Sequence, residues 1–429
     1  MQMVDRIPCK TLGCPNTILP STAEKTQGLC MPCVHAGLRL ERAEYIRQNR
    51  RDLNEFDGIE DAVEGLKIIH RTRRHDPLVN WIPHPTPTDK LYADLNEEQQ
   101  SRLAAYAESL IGSERNQEAK VIVECLAAFT NASLEKCLRA FAAQDETGPT
   151  LAYRQASAEI RDHLISKVDG KIEKWEIQKR NAILLSLAWI GDEVVVELFA
   201  HWRKHPPAWR DSLYVAPEDY AREAGWELDE AGKRRDLYFH RCNKLLIGPS
   251  SDPRQFHAIS DSQDSCPWCR RQLVHLFSMI PASFGMENLF DSGVRVQVTT
   301  CEVCTDFGVV LGEYDETGSG KWSTSNIRPE YLPTDTDHWG KLPRNPLRVA
   351  GSRPPLAAAC DFLPTTFSQI GGHPTWIQDA AYPNCPKCSK TMMFLAQVDH
   401  PEMGSDAEGR SYAFVCPPCR TTATNYQQT

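Results

Sequence analysis

Cys266-Pro-Trp-Cys269, Cys301-Glu-Val-Cys304, Cys385-Pro-Lys-Cys388 and Cys416-Pro-Pro-Cys419 decide how the C-terminal part of this chain is read. Each set of two pairs is separated by roughly 30 residues of mostly strand-like sequence. Val294 to Thr299 alternates in polarity and runs into Cys301; Met392 to Val398 leads away from Cys388, and Tyr412 to Val415 leads into Cys416. Cysteine pairs at the ends of adjacent hairpins are the arrangement of a zinc ribbon, in which four thiolates close a tetrahedron around the ion. A thioredoxin-like use of CxxC would need a helix starting at the motif inside a βαβ unit, and strands and turns stand there instead. Spacing leaves two points open. Cys266 and Cys269 could share an ion with Cys385 and Cys388, and four thiolates can hold iron as well as zinc.

A third group lies near the N-terminus: Cys9-x4-Cys14-x15-Cys30-x2-Cys33, with Gly13, Pro15, Asn16, Pro20 and Gly28 between. So short and turn-rich a unit has too little core to hold itself without a staple. Three structural zinc ions are therefore expected, held by Cys9, Cys14, Cys30 and Cys33, by Cys266, Cys269, Cys301 and Cys304, and by Cys385, Cys388, Cys416 and Cys419. Four of the 16 cysteines remain: Cys125, Cys137, Cys242 and Cys360. They are expected as small apolar core residues.

The 429 residues are 41% hydrophobic and 24% charged, which is ordinary for a globular chain and excludes a disordered one. No run approaches the ~18–20 apolar residues of a membrane span, and MQMVDRIPCK has no apolar signal core, so a cytosolic location is expected. The formal net charge of −9 argues against a general nucleic-acid binder.

The fold class expected is α+β and multidomain: an N-terminal zinc knuckle, a helical-repeat middle, and a β-rich C-terminal domain with zinc ribbons. The knuckle is assigned to residues 1–36, and a charged helix and linker to 37–93. In that helix Arg39, Arg42, Arg47, Arg50 and Arg51 interleave with Glu41, Glu44, Asp52 and Glu55. Its bland reading is a solvated helix laced with ion pairs. The following HDPLVNWIPHPTPTDK reads as a docking arm rather than a strand. Residues 94–205 have helical periodicity, with Leu103, Tyr106, Ala107 and Leu110 on one face. Residues 117–144 align without gaps on 178–205, each a helix, a polar turn and a second helix. The turn Ile190-Gly191-Asp192-Glu193 and its Val-rich helix resemble a HEAT-type repeat, which implies stacked hairpins with an exposed groove. A mixed connecting region follows at 206–260, then the β-rich domain at 261–429. Within that domain, 323–365 is Pro-rich and expected to lie extended, and Asp406 to Ser411 reads as a hairpin loop.

Gly371-Gly372-His373-Pro374-Thr375-Trp376-Ile377-Gln378, followed by Phe394-Leu395-Ala396-Gln397-Val398-Asp399, resembles the YwqG-like family. The inserted Cys385–Cys388 pair and the late Cys416–Cys419 pair are similar to that family's zinc-bearing bacterial variants. The resemblance covers roughly residues 260–429. It implies a compact, mostly β fold and brings no established reaction; proteins of this architecture occur in some toxin–immunity neighbourhoods.

No phosphate-binding loop, nucleophile elbow, dinucleotide fingerprint or HExxH motif is present, and the histidines are scattered. The reading is a non-enzymatic, zinc-stabilised protein-binding protein of the bacterial cytosol. Its concrete form is an immunity protein that neutralises a basic toxin domain by direct binding, with Glu193 and Glu197 as candidate contacts. A nucleic-acid-associated zinc-ribbon protein is the alternative, and an unrecognised hydrolase the weaker one.

Overall fold

The computed structural model describes residues 5–168, 177–249, 252, 254–287, 289–290, 293–335, 342–360, 363, 366–405 and 408–429. The chain divides into two compact units, Met1–Pro85 and Thr86–Thr429.

In the first unit, β1 (Ile7–Pro8) and β2 (Thr17–Ile18) form an antiparallel hairpin, followed by α1 (Pro20–Lys25). Helix α2 (Met31–Asn49) starts directly at Cys30, with Pro32 inside its first turn, where a missing N–H costs nothing. The chain then enters β3 (Arg51–Leu53), which pairs in parallel with β4 (Val79–Trp81). Helix α3 (Ala62–His70) crosses between them; Asp61 caps it by accepting from the Val63 N–H at 2.9 Å, and Val63 and Leu66 are buried beneath it. The arm at 75–90 therefore contains a strand where none was expected. Its pairing partner lies far back in the chain, beyond the reach of any local pattern.

In the second unit, α4 (Thr88–Ala93) precedes α5 (Glu97–Leu110), which opens on a capping box between Asn96 and Gln99. Leu103, Ala104, Ala107 and Leu110 of α5 are buried, while Tyr106 is half-buried and its hydroxyl accepts from Arg115 at 2.6 Å. Then come α6 (Asn116–Phe129), α7 (Glu135–Ala143), α8 (Ala158–Val168), α9 (Ile177–Ile190) and α10 (Glu193–Lys204). Asp192 caps α10 through the Val195 N–H at 3.0 Å and also pairs with Arg161 of α8 at 2.7 Å. Trp226, fully buried, stacks on Phe199 of α10 and donates its indole N–H to the Ala188 carbonyl at the end of α9.

The strands follow: β5 (Trp226–Leu228) and β6 (Arg234–Asp236) form a small hairpin. Next are β7 (Cys242–Ile247), β8 (Phe256–Ser265), β9 (Gln272–Met279), β10 (Val296–Thr300), β11 (Val310–Tyr314) and β12 (Gly320–Trp322). The last are β13 (Leu347–Arg353), β14 (Gln369–Gly371), β15 (Met393–Asp399), β16 (Arg410–Cys416) and β17 (Thr421–Gln427). An eight-stranded antiparallel sheet runs β12-β11-β17-β16-β15-β14-β7-β13, and a three-stranded sheet runs β10-β9-β8. The two share one core, in which Phe256, Phe277 and Val298 meet Leu395, Val398, Ala413 and Val415. The Pro-rich stretch, expected to lie extended, supplies an edge strand, β13, paired with β7. Asp406 and Ala407 of the expected hairpin loop lie outside the described residues.

The described structure is thus mixed helix and sheet, with three four-cysteine clusters.

Candidate metal centres and the polar lattice beside them

Each CxxC pair sits where a turn aims two sulfurs inward. Cys266 and Cys269 occupy the β8–β9 turn, and Cys301 and Cys304 follow β10. Cys385 and Cys388 lie between Asn384 and Thr391, which form an isolated bridge, and Cys416 and Cys419 occupy the β16–β17 turn. Two of the turns are built alike. The Cys266 N–H bonds to the Arg271 carbonyl at 2.7 Å and the Arg270 N–H returns to the Cys266 carbonyl; Cys385, Lys390 and Ser389 repeat the pattern. The residue after the second cysteine takes positive φ in three knuckles: Arg270 (66°), Ser389 (61°) and Arg420 (49°). That conformation lets the chain fold back under the sulfurs.

The cysteines gather as expected, four to a group, and within groups rather than across them; in each group the ligand atoms lie within 4.8 Å of one another. The sulfur separations include 3.7 Å for Cys14–Cys30, 3.6 Å for Cys266–Cys304, 3.5 Å for Cys269–Cys301 and 3.7 Å for Cys388–Cys416. Four sulfurs at ~2.3 Å from a central zinc stand about 3.75 Å apart, whereas a disulfide needs ~2.05 Å. The donor sets therefore fit three structural zinc ions, each with four thiolates and no vacant position.

Electrostatics favours a cation at each centre. Cys9 is pulled down to about 6, first by the Cys30 backbone N–H and then by that of Thr11. At Cys385 burial pushes upward, but the backbone N–H groups of Lys387 and Cys388 outweigh it, and the thiol settles at about 7. In the second group Cys269 is lowered, chiefly by a hydrogen bond from Cys266, while Cys304 is raised by the same neighbour. Four adjacent sulfurs cannot all shed their protons unless a positive ion takes up the charge.

The centres differ in setting. Cys266, Cys301 and Cys304 are buried among Leu273, Val310 and Leu332. Cys388 of the third centre is exposed. In the first, Cys9 and Cys30 are buried with Ile18, and the Cys30 N–H donates to the Cys9 sulfur at 3.2 Å. All four remaining cysteines are buried, as expected. Sequence did not indicate that Cys125 of α6 and Cys360 lie with their sulfurs 3.5 Å apart.

The chain is 44% identical over 431 residues, covering 100% of both chains, to the uncharacterized protein YpfL of Salmonella typhimurium (strain LT2). The chain belongs to the YpfL family. No family model matches it, and no solved structure matches it. Among its described residues no helix is long and apolar enough to cross a membrane.

For this YpfL-family chain the glycine-rich segment 371–378 forms part of a buried polar lattice. Gly371 and Gly372 take φ of 65° and 71°, and a Cβ on Gly371 would fall 2.1 Å from the Arg241 carbonyl oxygen. Gln397 accepts from the Thr375 N–H at 3.0 Å and donates to the Phe367 carbonyl at 2.7 Å. Arg410 pairs with Asp399 at 2.7 Å and donates to the Thr375 carbonyl at 3.0 Å. Beside them the His400 Nε2 lies 2.9 Å from the Ser411 hydroxyl, both residues being buried. No sequence signal marked that pair, because its members lie on facing strands.

Glu193 and Glu197 are exposed on α10. Nearby in sequence, α7, α8 and α9 enclose a groove of about 430 Å³ floored by Leu138, Ile160, Leu164 and Ile183 and rimmed by Asp145, Lys167 and Lys179.

Proposed function

We propose that this protein is a non-enzymatic, zinc-stabilised binding protein of the bacterial cytosol whose partner is another protein. In this reading residues 94–205 act as HEAT-like hairpins, the C-terminal region is a YwqG-like domain, and the zinc ions hold shape. The partner is a basic toxin domain neutralised by direct contact. The observation that carries the reading is the groove among α7, α8 and α9, with apolar floor and charged rim, a combination suited to an anchoring side chain with polar contacts around it. The closed four-sulfur zinc sets support a structural role, since catalytic zinc keeps a position for water. The charge agrees: residues 91–250 carry 26 acidic and 21 basic side chains, which favours encounter with a basic partner.

The test is affinity capture from the native bacterium with the full chain as bait, followed by titration of the captured protein. Glu197→Lys and Ala143→Trp, which fills the groove from its rim, should each weaken the complex roughly tenfold, the loss expected of a contact worth ~1.4 kcal/mol. Circular dichroism should be unchanged. Wild-type affinity for Ala143→Trp would remove the groove from the binding surface, and wild-type affinity for Glu197→Lys would remove α10.

A further inference from the structure

Helix α2 has no buried residue in 19 positions. It is held at its first turn, where Cys33 enters the N-terminal metal centre, and from there its flanks are open. In proteins most helical stability comes from packing of an apolar face, which α2 lacks, so a rigid staple at the start of a bare helix calls for a reason.

The charges on α2 are sorted. At 100° per residue, His35, Arg39, Arg42 and Ile46 fall within an arc of about 60°, while Glu41 and Glu44 lie on the opposite side; Arg50, just past the end of the helix, donates to the Asn80 side-chain oxygen at 3.1 Å. Glu44 is occupied by Arg47, whose Nε donates to it at 2.8 Å, also away from the stripe. Arg39 and Arg42 are exposed and make no hydrogen bond or ion pair among the described residues. Among the described residues, the expectation of a helix laced with ion pairs is met within α2 by that Arg47–Glu44 pair alone. Residues 5–51 hold eight Lys or Arg against four Asp or Glu, inside a chain whose formal net charge is −9.

We propose that α2 binds duplex DNA, laying this arginine stripe along the phosphates with the helix in the major groove. Three features favour that occupant. The stripe carries no carboxylate and offers fixed positive charge to a dense row of phosphates. A bare helix is ~10–12 Å across, and the B-form major groove is ~12 Å wide, whereas the A-form groove of RNA is too narrow for it. The helix also leaves its zinc knuckle at the second cysteine pair, so the knuckle fixes the direction in which it projects, as in other zinc modules that present a helix to a groove. This contact belongs to the first unit and is independent of protein binding by the helical region of the second.

The experiment is fluorescence anisotropy of a mixed-sequence 20-base-pair duplex with the zinc-loaded full chain, over a salt series. Binding at low salt should fall with log salt at a slope of about −2, for ~2 neutralised phosphates. Arg39→Glu with Arg42→Glu should weaken it at least roughly tenfold, and the milder Arg39→Gln, Arg42→Gln pair should reduce the slope by about 2. Arg47→Gln should bind as wild type. All variants should keep three zinc ions, since none of these side chains is a cysteine ligand of a metal centre. Absent or salt-independent binding by the wild type would overturn the proposal, as would wild-type affinity in the double variants. Equally tight binding of polyglutamate would assign the stripe to an acidic protein, and equal affinity for duplex RNA would overturn groove docking.

Discussion

His400 follows directly on Asp399 at the end of β15, with its ring stacked on Tyr426 and its Nε2 against the Ser411 hydroxyl. A serine beside a histidine invites a hydrolase reading, and the protonation of His400 tests it. Burial pushes its pKa down to about 4, with Asp399 working weakly in the other direction. In the unfolded chain the same ring titrates near 6.5, so on acidification the unfolded state takes up the proton first. Neutral His400 therefore imposes no penalty on folding above pH ~6.5, and stability is lost as pH falls from there toward 4. Between pH 7.5 and 5.5 this one group should remove about 1.3 kcal/mol, from 1.36 kcal/mol per pKa unit and those two values. The assay is urea unfolding followed by tryptophan fluorescence in excess zinc at both pH values, for wild type and His400→Gln. The glutamine cannot titrate, so the wild type should lose about 1.3 kcal/mol more than the variant, and the difference cancels every other titrating group. Equal losses would refute the reasoning. A wild type that gains relative to the variant on acidification would mean a folded pKa above 6.5, in the range of a working general base beside Ser411.

Elemental analysis should find three zinc ions per chain, and X-ray absorption four sulfurs at ~2.3 Å around each; one ion or none, or nitrogen and oxygen neighbours, would sink the closed four-thiolate sets. Cys385→Ser should release its ion and lower the melting temperature far more than Cys360→Ser, which should cost roughly 1–2 kcal/mol as a perturbed buried site. Equal effects would make Cys360 more than a packing residue. Gly372→Ala should destabilise by more than ~2 kcal/mol, because φ is 71° and the new Cβ meets the Cys242 sulfur at 2.7 Å and the Pro355 carbonyl oxygen at 2.9 Å. Arg270→Gly relieves the same backbone strain in the opposite direction and should raise the melting temperature, by about 0.5–1 kcal/mol of stability.

The metal centres were legible because their signal is local: two sulfurs two residues apart can reach one ion from a single turn. The helices of residues 94–205 were legible for a related reason, since periodicity and caps such as Asn96 and Asp192 are written within one turn of the element they start. Strand partners are not local. Nothing around Val79 announces Arg51, and nothing around Leu347 announces Ile247, so β4 and β13 read as irregular chain. The stripe on α2 falls between these cases. The arginines were visible, but whether Glu41 and Glu44 quench them depends on helix phase and on which carboxylate each guanidinium reaches.

The polar lattice narrows where a partner can be met. Gln397 spends its oxygen on Thr375 and its amide on the Phe367 carbonyl; Gln427 spends its oxygen on the Ile377 and Gln378 N–H groups and its amide on the Asp379 carbonyl. Arg410 is consumed by Asp399, the Thr375 carbonyl and the ring of Phe367, and the Tyr412 hydroxyl also donates to Thr375. Removing any one partner would leave a buried polar group unpaired, at roughly 1–3 kcal/mol, so the lattice acts to pin 375–379 across the sheet. At the other end of the same strands Cys416 and Cys419 close the third metal centre. Zinc and lattice thus lock opposite ends of the β15–β16–β17 meander, leaving Gln397, Arg410, Tyr412 and Gln427 with their hydrogen bonds already made, while the Trp376 indole N–H and the Tyr382 hydroxyl are buried without a partner among the described residues. In the proposed readings recognition falls to side chains with bonds to spare, and Arg39, Arg42, Glu193 and Glu197 are exposed on helices rather than enclosed by the sheet.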